Sequence, residues 1–165
     1  MAINSKVIKI IPGSMYEGKV FTQYVIVEMK NRSKVALYDT SKRVKENNLG
    51  TNVKINISVP VSGSIDLLQY CRYEIVPVRY DEEHFLGPAA DIYGKIDRII
   101  EKDQGPPQAI IDVGDGTINL LLDKVGNNYV YNEKDRLSIF QIGVCIAIKG
   151  AQLYLESVNN DKLIS

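Results

Sequence analysis

The segment NVKINISVPV, residues 52–61, sets Val53, Ile55, Ile57 and Val59 against Asn52, Lys54, Asn56 and Ser58. A period of two places all the apolar residues on one face of a strand and the polar ones on the other. Such a strand belongs in an antiparallel sheet with one dry and one wet side. Short runs rich in Val, Ile, Tyr and Thr, bounded by Gly, Pro, Asn and Asp, recur along the chain, and no long stretch carries a helical period. The expected class is all-β with short helices. The length of 165 residues allows one medium domain or two small ones, and a hydrophobic fraction of 45% is enough for a core.

The strand plan occurs twice. In the first half, KVFTQYVIVEMK (19–30) and KVALYD (34–39) read as a hairpin around Asn31-Arg32-Ser33. NVKINISVPV follows, and SIDLLQY (64–70) is a last strand after Ser62-Gly63. In the second half, DIYGKIDRIIE (91–101) is a first strand. QAIIDV and TINLLLD form a hairpin across Gly114-Asp115-Gly116, and GVCIAIKGAQLYLESV (143–158) supplies two strands around Lys149-Gly150. LGTNVKINIS in the first half aligns with IGVCIAIKGA in the second. Polar inserts before these segments suit short helices: TSKRVKENN, with Thr40 or Ser41 as N-cap, and NEKDRLSIF, with Asn132 as N-cap. The spacing predicts two tandem five-stranded Greek-key barrels, residues 1–80 and 91–165, joined by a linker at 81–90 where acids and Gly87-Pro88 break the pattern. An interlocked single β-domain is the alternative.

YGKIDRI (93–99), IIDVGDGTINLLL (110–122) and IGVCIAIKG (142–150) together resemble the OB-fold nucleic-acid-binding superfamily, including the replication protein A-like single-strand binders. The resemblance covers roughly 70 residues of the second half; the first half matches through the order of its elements. It implies OB-like barrels and a role in binding single-stranded DNA or RNA, or in protein interaction, which the same fold also serves.

Charge favours the first half for nucleic acid. Residues 1–80 carry 12 Lys/Arg and 6 Asp/Glu, and residues 81–165 carry 8 and 14, so a chain of zero net charge divides into +6 and −6. With Met29 opposite Ser33, the first hairpin pairs Val27 with Val35 and Val25 with Leu37 on its inner face. Glu28 with Lys34 and Tyr24 with Tyr38 then lie on its outer face. Tyr24 and Tyr38 would stack bases, with Lys30, Arg32, Lys34 and Lys54 contacting phosphates and Lys42, Arg43 and Lys45 adding to them. In the second hairpin, a turn at Asp115-Gly116 pairs Asp112 with Asn119 and Ile110 with Leu121 on an outer face lacking aromatic and cation. Ile110, Asp112 and Leu121 therefore point to contact with protein.

Motifs for catalysis, metal or cofactor are missing. His84 is the one histidine, no GxxxxGK[ST] loop occurs, and DVGDG lacks the acids of a calcium loop. The expectation is a protein that is not an enzyme, has no cofactor or metal, and does not enter a membrane. Its partners would be single-stranded nucleic acid and a protein met through the acidic half, with self-association through strand edges as the rival role. Cys71 and Cys145, each in an apolar run, read as two reduced thiols and hence a cytoplasmic location.

Overall fold

A computed structural model describes residues 2–60, 64–77, 89–101, 103–130 and 140–160. Its elements in chain order are β1 (Ile3–Pro12), a small hairpin β2 (Met15–Tyr16) and β3 (Lys19–Val20), β4 (Gln23–Met29), β5 (Lys34–Asp39) and a 3-10 turn, η1 (Glu46–Asn48). Then come β6 (Asn52–Val59), β7 (Ser64–Leu67), β8 (Glu74–Pro77), β9 (Ala89–Ile100), β10 (Gln108–Asp112) and β11 (Thr117–Leu121). A second small hairpin, β12 (Asp123–Val125) and β13 (Asn128–Val130), precedes β14 (Cys145–Gln152) and β15 (Tyr154–Asn160). The protein is nearly all β, as the alternation implies. The expected helix after Thr40 is reduced to η1, which begins at Lys45 rather than at Thr40 or Ser41. The helix expected from Asn132 and the core of the 81–90 linker, with His84, lie outside the described residues.

A closed barrel of five strands runs β1-β4-β5-β15-β6 and back to β1. Its fourth strand is β6, whose alternation holds: Val53, Ile55, Ile57 and Val59 are all buried, while Lys54, Asn56 and Ser58 are half-buried and Asn52 is exposed. Its fifth strand is not SIDLLQY. β15, from the far end of the chain, pairs antiparallel with β6 and parallel with β5 at Tyr154 and Tyr38. In the second half the order is β11-β10-β9-β14-β7. Here β7 comes from the first half and pairs antiparallel with β14, and β11 runs parallel to the end of β6 at Ser58 and Val59. Residues 52–67 and 145–160 thus each start in one half's sheet and finish in the other's. The sheets do not divide at residues 81–90: β7 and β8 of the first half pair with β14 and β9, and β15 of the second half pairs with β5 and β6.

The reason is a shared core. The inward residues of both halves form one buried cluster, from Ile3 and Val25 to Ile148 and Leu155. Exchanging the last strands buries both apolar faces against one another without a new boundary of wet surface.

The glycines that open LGTNVKINIS and IGVCIAIKGA share a local geometry. Gly50 donates its N–H to Val7 O at 2.8 Å, and Gly143 donates to Ile96 O at 2.8 Å. Both glycines have φ in the left-handed region, at 76° and 89°, where a β-carbon is strained. Each first strand also carries an irregularity at the same point: the register slips between Val7 and Lys9 in β1, and opposite Ile110/Ile111 in β9. In YGKIDRI, Gly94 is needed for close approach, since a β-carbon there would lie 2.4 Å from Asp112 O.

The two cysteines are corrected as well. The β14–β7 pairing carries the chain past Cys145, with Leu68 N–H donating to Cys145 O at 2.9 Å. Cys71 follows, and the pair forms a disulfide with Cα atoms 5.1 Å apart. Their sequence separation of 74 hid this contact from the sequence.

Candidate nucleic-acid interface

The hairpin of β4 and β5 has the register that its alternation requires. Tyr24 faces Tyr38, Val25 faces Leu37, Val27 faces Val35 and Glu28 faces Lys34. Val25, Val27, Val35 and Leu37 are buried in the barrel, which leaves Tyr24 and Tyr38 half-buried on its outer wall. Their ring centroids are 5.1 Å apart with planes inclined at 38°. The parallel pairing of β15 adds a third ring: Tyr154 meets Tyr38 edge-on, 5.4 Å between centroids. Such pairs contribute about 0.5–1.5 kcal/mol each beyond area burial. Tyr154 was missed by sequence reasoning. Its sole local signal is the alternation of AQLYLES, which says that it points outward but not that it lands beside Tyr38.

The expected cations divide between two ends of this wall. Lys30 and Arg32 sit in the turn after β4, six to eight residues from Tyr24 and roughly 20 Å away along an extended strand. Lys34 lies opposite Glu28. Lys54, on the outside of β6, shares a cleft of about 570 Å³ with Lys30, Asp97, Asp112, Asp115 and the DVGDG turn. None of these four cations is brought to the tyrosine rings by the fold. Lys42, Arg43 and Lys45 stand instead at the tyrosine end, directly after β5. Buried Asp39 fixes that loop: its carboxylate accepts the N–H of Arg43 at 2.9 Å, the N–H of Val44 at 3.0 Å and the Gln23 amide at 2.9 Å. Gln23 also donates to Val44 O at 2.7 Å. A rigid polar anchor therefore presents a short basic loop around the edge of the wall that carries Tyr24 and Tyr38. Beside it, Ile10, Pro12, Val20 and Leu49 line a groove with Lys42 and Lys45.

The second hairpin differs. Its turn is centred on Gly114-Asp115, with Val113 N–H donating to Gly116 O, so Ile110 faces Asn119 and Asp112 faces Thr117. This is a shift of two residues from the expected pairing of Ile110 with Leu121, and a shift of two leaves every side chain on its expected face. Asp112 Oδ1 accepts the Gly114 N–H at 2.9 Å, which makes DVGDG a turn closed on itself. Ile110, expected to be exposed for a partner, is covered: it is 5% exposed between Arg98 and Asn119. Leu121 is half-buried opposite Gln108.

A further group was not foreseen. On β9, Tyr93 carries Arg72 over its ring at 4.0 Å from the centroid and Lys149 at 4.5 Å. Arg72 is held by Glu74 at 2.5 Å, and that hydrogen bond raises the guanidinium pKa above its ordinary value. Lys149 Nζ donates to the Tyr93 hydroxyl, which raises its pKa as well, and lies 3.7 Å from Asp91. These residues are scattered through the sequence and meet because β8 and β14 both pair with β9. Among the described residues, no three His, Cys, Asp or Glu side chains gather as a metal-binding set, and no helix is long and apolar enough to cross a membrane. The chain matches no protein-family model and no curated protein.

Proposed function

We propose that the protein is a non-catalytic binder of single-stranded DNA or RNA with little sequence preference, built on OB-like barrels. The observation that carries this reading is the contiguous trio Tyr24–Tyr38–Tyr154 on the outer wall of a closed five-stranded barrel. The strand order β1-β4-β5-β15-β6 supports the OB-like assignment, because the last strand lies between the third and the fourth. Rings on the second and third strands of such a barrel offer a stacking surface to any base, since every base has a π-face. Lys42, Arg43 and Lys45 would meet the phosphates, and Lys30, Arg32, Lys34 and Lys54 would contribute as a more distant positive field. Fluorescence anisotropy with short labelled oligonucleotides tests the site. Tyr38→Ala should weaken binding roughly 10- to 100-fold, from the ~1–3 kcal/mol that a stacked base contributes, and added salt should weaken it further. Affinity that ignores both changes would sink the assignment.

One observation favours the second reading, an assembly subunit. Leu67, at the end of edge strand β7, is exposed, as are Tyr70, Tyr73 and Ile142, Tyr70 by 84%. The cleft that sets Lys30 and Lys54 near Asp97, Asp112 and Asp115 fits the idea that the charge split joins the halves. Light scattering with and without high salt tests it: salt-independent oligomers in a protein that binds no oligonucleotide would favour this role.

A further inference from the structure

The exchange of last strands has a consequence for the length of the binding track. β14 and β15 follow one another with only Leu153 between them and a bulge at Gly150, the first in the sheet of Tyr93 and the second in the barrel of Tyr38. Along it, Ile148, Ala151, Leu153 and Leu155 are buried in the common core. Lys149, Gln152 and Tyr154 are left on the outside. Lys149 touches the Tyr93 group at one end, and Tyr154 touches Tyr38 at the other. The five steps from Lys149 to Tyr154, with a bulge at Gly150, span at most about 17 Å at the rise of a strand. Two outward-facing aromatic groups are therefore connected by the consecutive strands β14 and β15.

Resting on the reading above, we infer that one nucleic-acid strand runs along β15 and β14, from the Tyr24–Tyr38–Tyr154 rings to a second stacking point at Arg72 and Tyr93. Arg72 is the element that takes the base there. Its guanidinium already lies over Tyr93, its geometry is set by Glu74, and its side chain is 53% exposed. A planar guanidinium backed by an aromatic ring on a half-exposed side chain is a platform for a base. The positive charges of Arg72 and Lys149 are each met by an acid, Glu74 and Asp91, so this point adds stacking more than phosphate attraction. It lengthens the footprint toward the middle of the ~4–16 nucleotides that a barrel of this type covers.

The test uses the full-length chain and fluorescein-labelled oligo-dT and oligo-U of about four and about twelve nucleotides, bracketing that range. Thermal melting first establishes that Arg72→Ala/Tyr93→Ala and Tyr38→Ala are folded; Arg72→Gln, which keeps the stem, replaces the double variant if it is not. The double variant should bind the longer oligonucleotide roughly 10-fold more weakly and the shorter one unchanged, whereas Tyr38→Ala should weaken both. Loss of the tyrosine site alone, with the longer probe indifferent to Arg72 and Tyr93, would overturn the extended track and leave the first site standing. An equal loss for both lengths would also overturn it. Failure of the unaltered protein to bind any probe would remove the track together with the function on which it rests.

Discussion

The hairpins β4–β5 and β10–β11 are the same element made twice, and they differ where function would lie. Counted back from their turns, Glu28 corresponds to Asp112, Ile26 to Ile110 and Tyr24 to Gln108; on the return strands, Lys34 corresponds to Thr117 and Tyr38 to Leu121. Ile26 and Ile110 are both buried although both lie on the outer wall, and Lys9 and Arg98 face them from the first strands. The scaffold is repeated down to this detail. One step further on, the Tyr24–Tyr38 pair in the first hairpin becomes Gln108 and Leu121 in the second. Matching hairpin positions thus carry an aromatic pair in the first hairpin and an amide with an aliphatic side chain in the second.

The largest test of this comparison asks whether the copies are separable. A fragment of residues 1–80 has the tyrosine hairpin but lacks β15, so its barrel has an open seam and should show no cooperative thermal transition. Cooperative melting of that fragment would restore two independent barrels. Next comes the link between Cys71 and Cys145. Closing a loop of sequence separation 74 is worth about 4 kcal/mol in the loop-entropy estimate. Reduction, or Cys71→Ser, should lower the melting temperature by many degrees; an unchanged melt would show that the pair contributes little.

A finer test separates the covered from the open part of the second hairpin. Ile110→Asp places a carboxylate in a buried site and should cost ~3 kcal/mol or more, while Leu121→Asp, half-exposed, should cost under about 1 kcal/mol. Equal and small losses in chemical denaturation would mean that Ile110 is open to a partner after all. The smallest effect concerns Glu101, which accepts hydrogen bonds from Lys124 and Tyr129 beside the second hairpin. The bond from Lys124, then that from Tyr129, holds its carboxyl below the ordinary value of 4.5. A lowered folded pKa means that the contribution to stability is present above the unfolded value and is lost as pH falls through the folded one. The pair is solvent-exposed, so Lys124→Met should lower the melting temperature slightly at neutral pH, and the difference should vanish in acid. A difference that persists in acid would rule out the carboxylate as its source.

Much of the fold was legible locally. Alternation in NVKINISVPV and KVALYD names the buried face, and the three-residue turn at 30–32 then leaves only one register that keeps Val25, Val27, Val35 and Leu37 together. In DVGDG the turn read from the sequence, Asp115-Gly116, is replaced by Gly114-Asp115. Either one keeps the faces the same, so the acid-and-glycine turn and its aliphatic walls were read correctly while the partners were not.

By itself, then, the sequence determined the strand class, the inward and outward faces, the register of the first hairpin and the turn positions of Gly50 and Gly143. These follow from a period of two and from backbone angles, which are properties of neighbours in the chain. Tertiary structure alone decided that β15 closes the first barrel, that Cys71 meets Cys145, that Tyr154 joins Tyr24 and Tyr38, and that Lys30 and Lys54 share a cleft with aspartates. An alternating strand states which side it buries but not which edge it pairs with. Edge pairing is settled by closing long loops around one common core, and the entropy of closure grows so slowly with loop length that a strand from the far end of the chain can take the place of a nearer one.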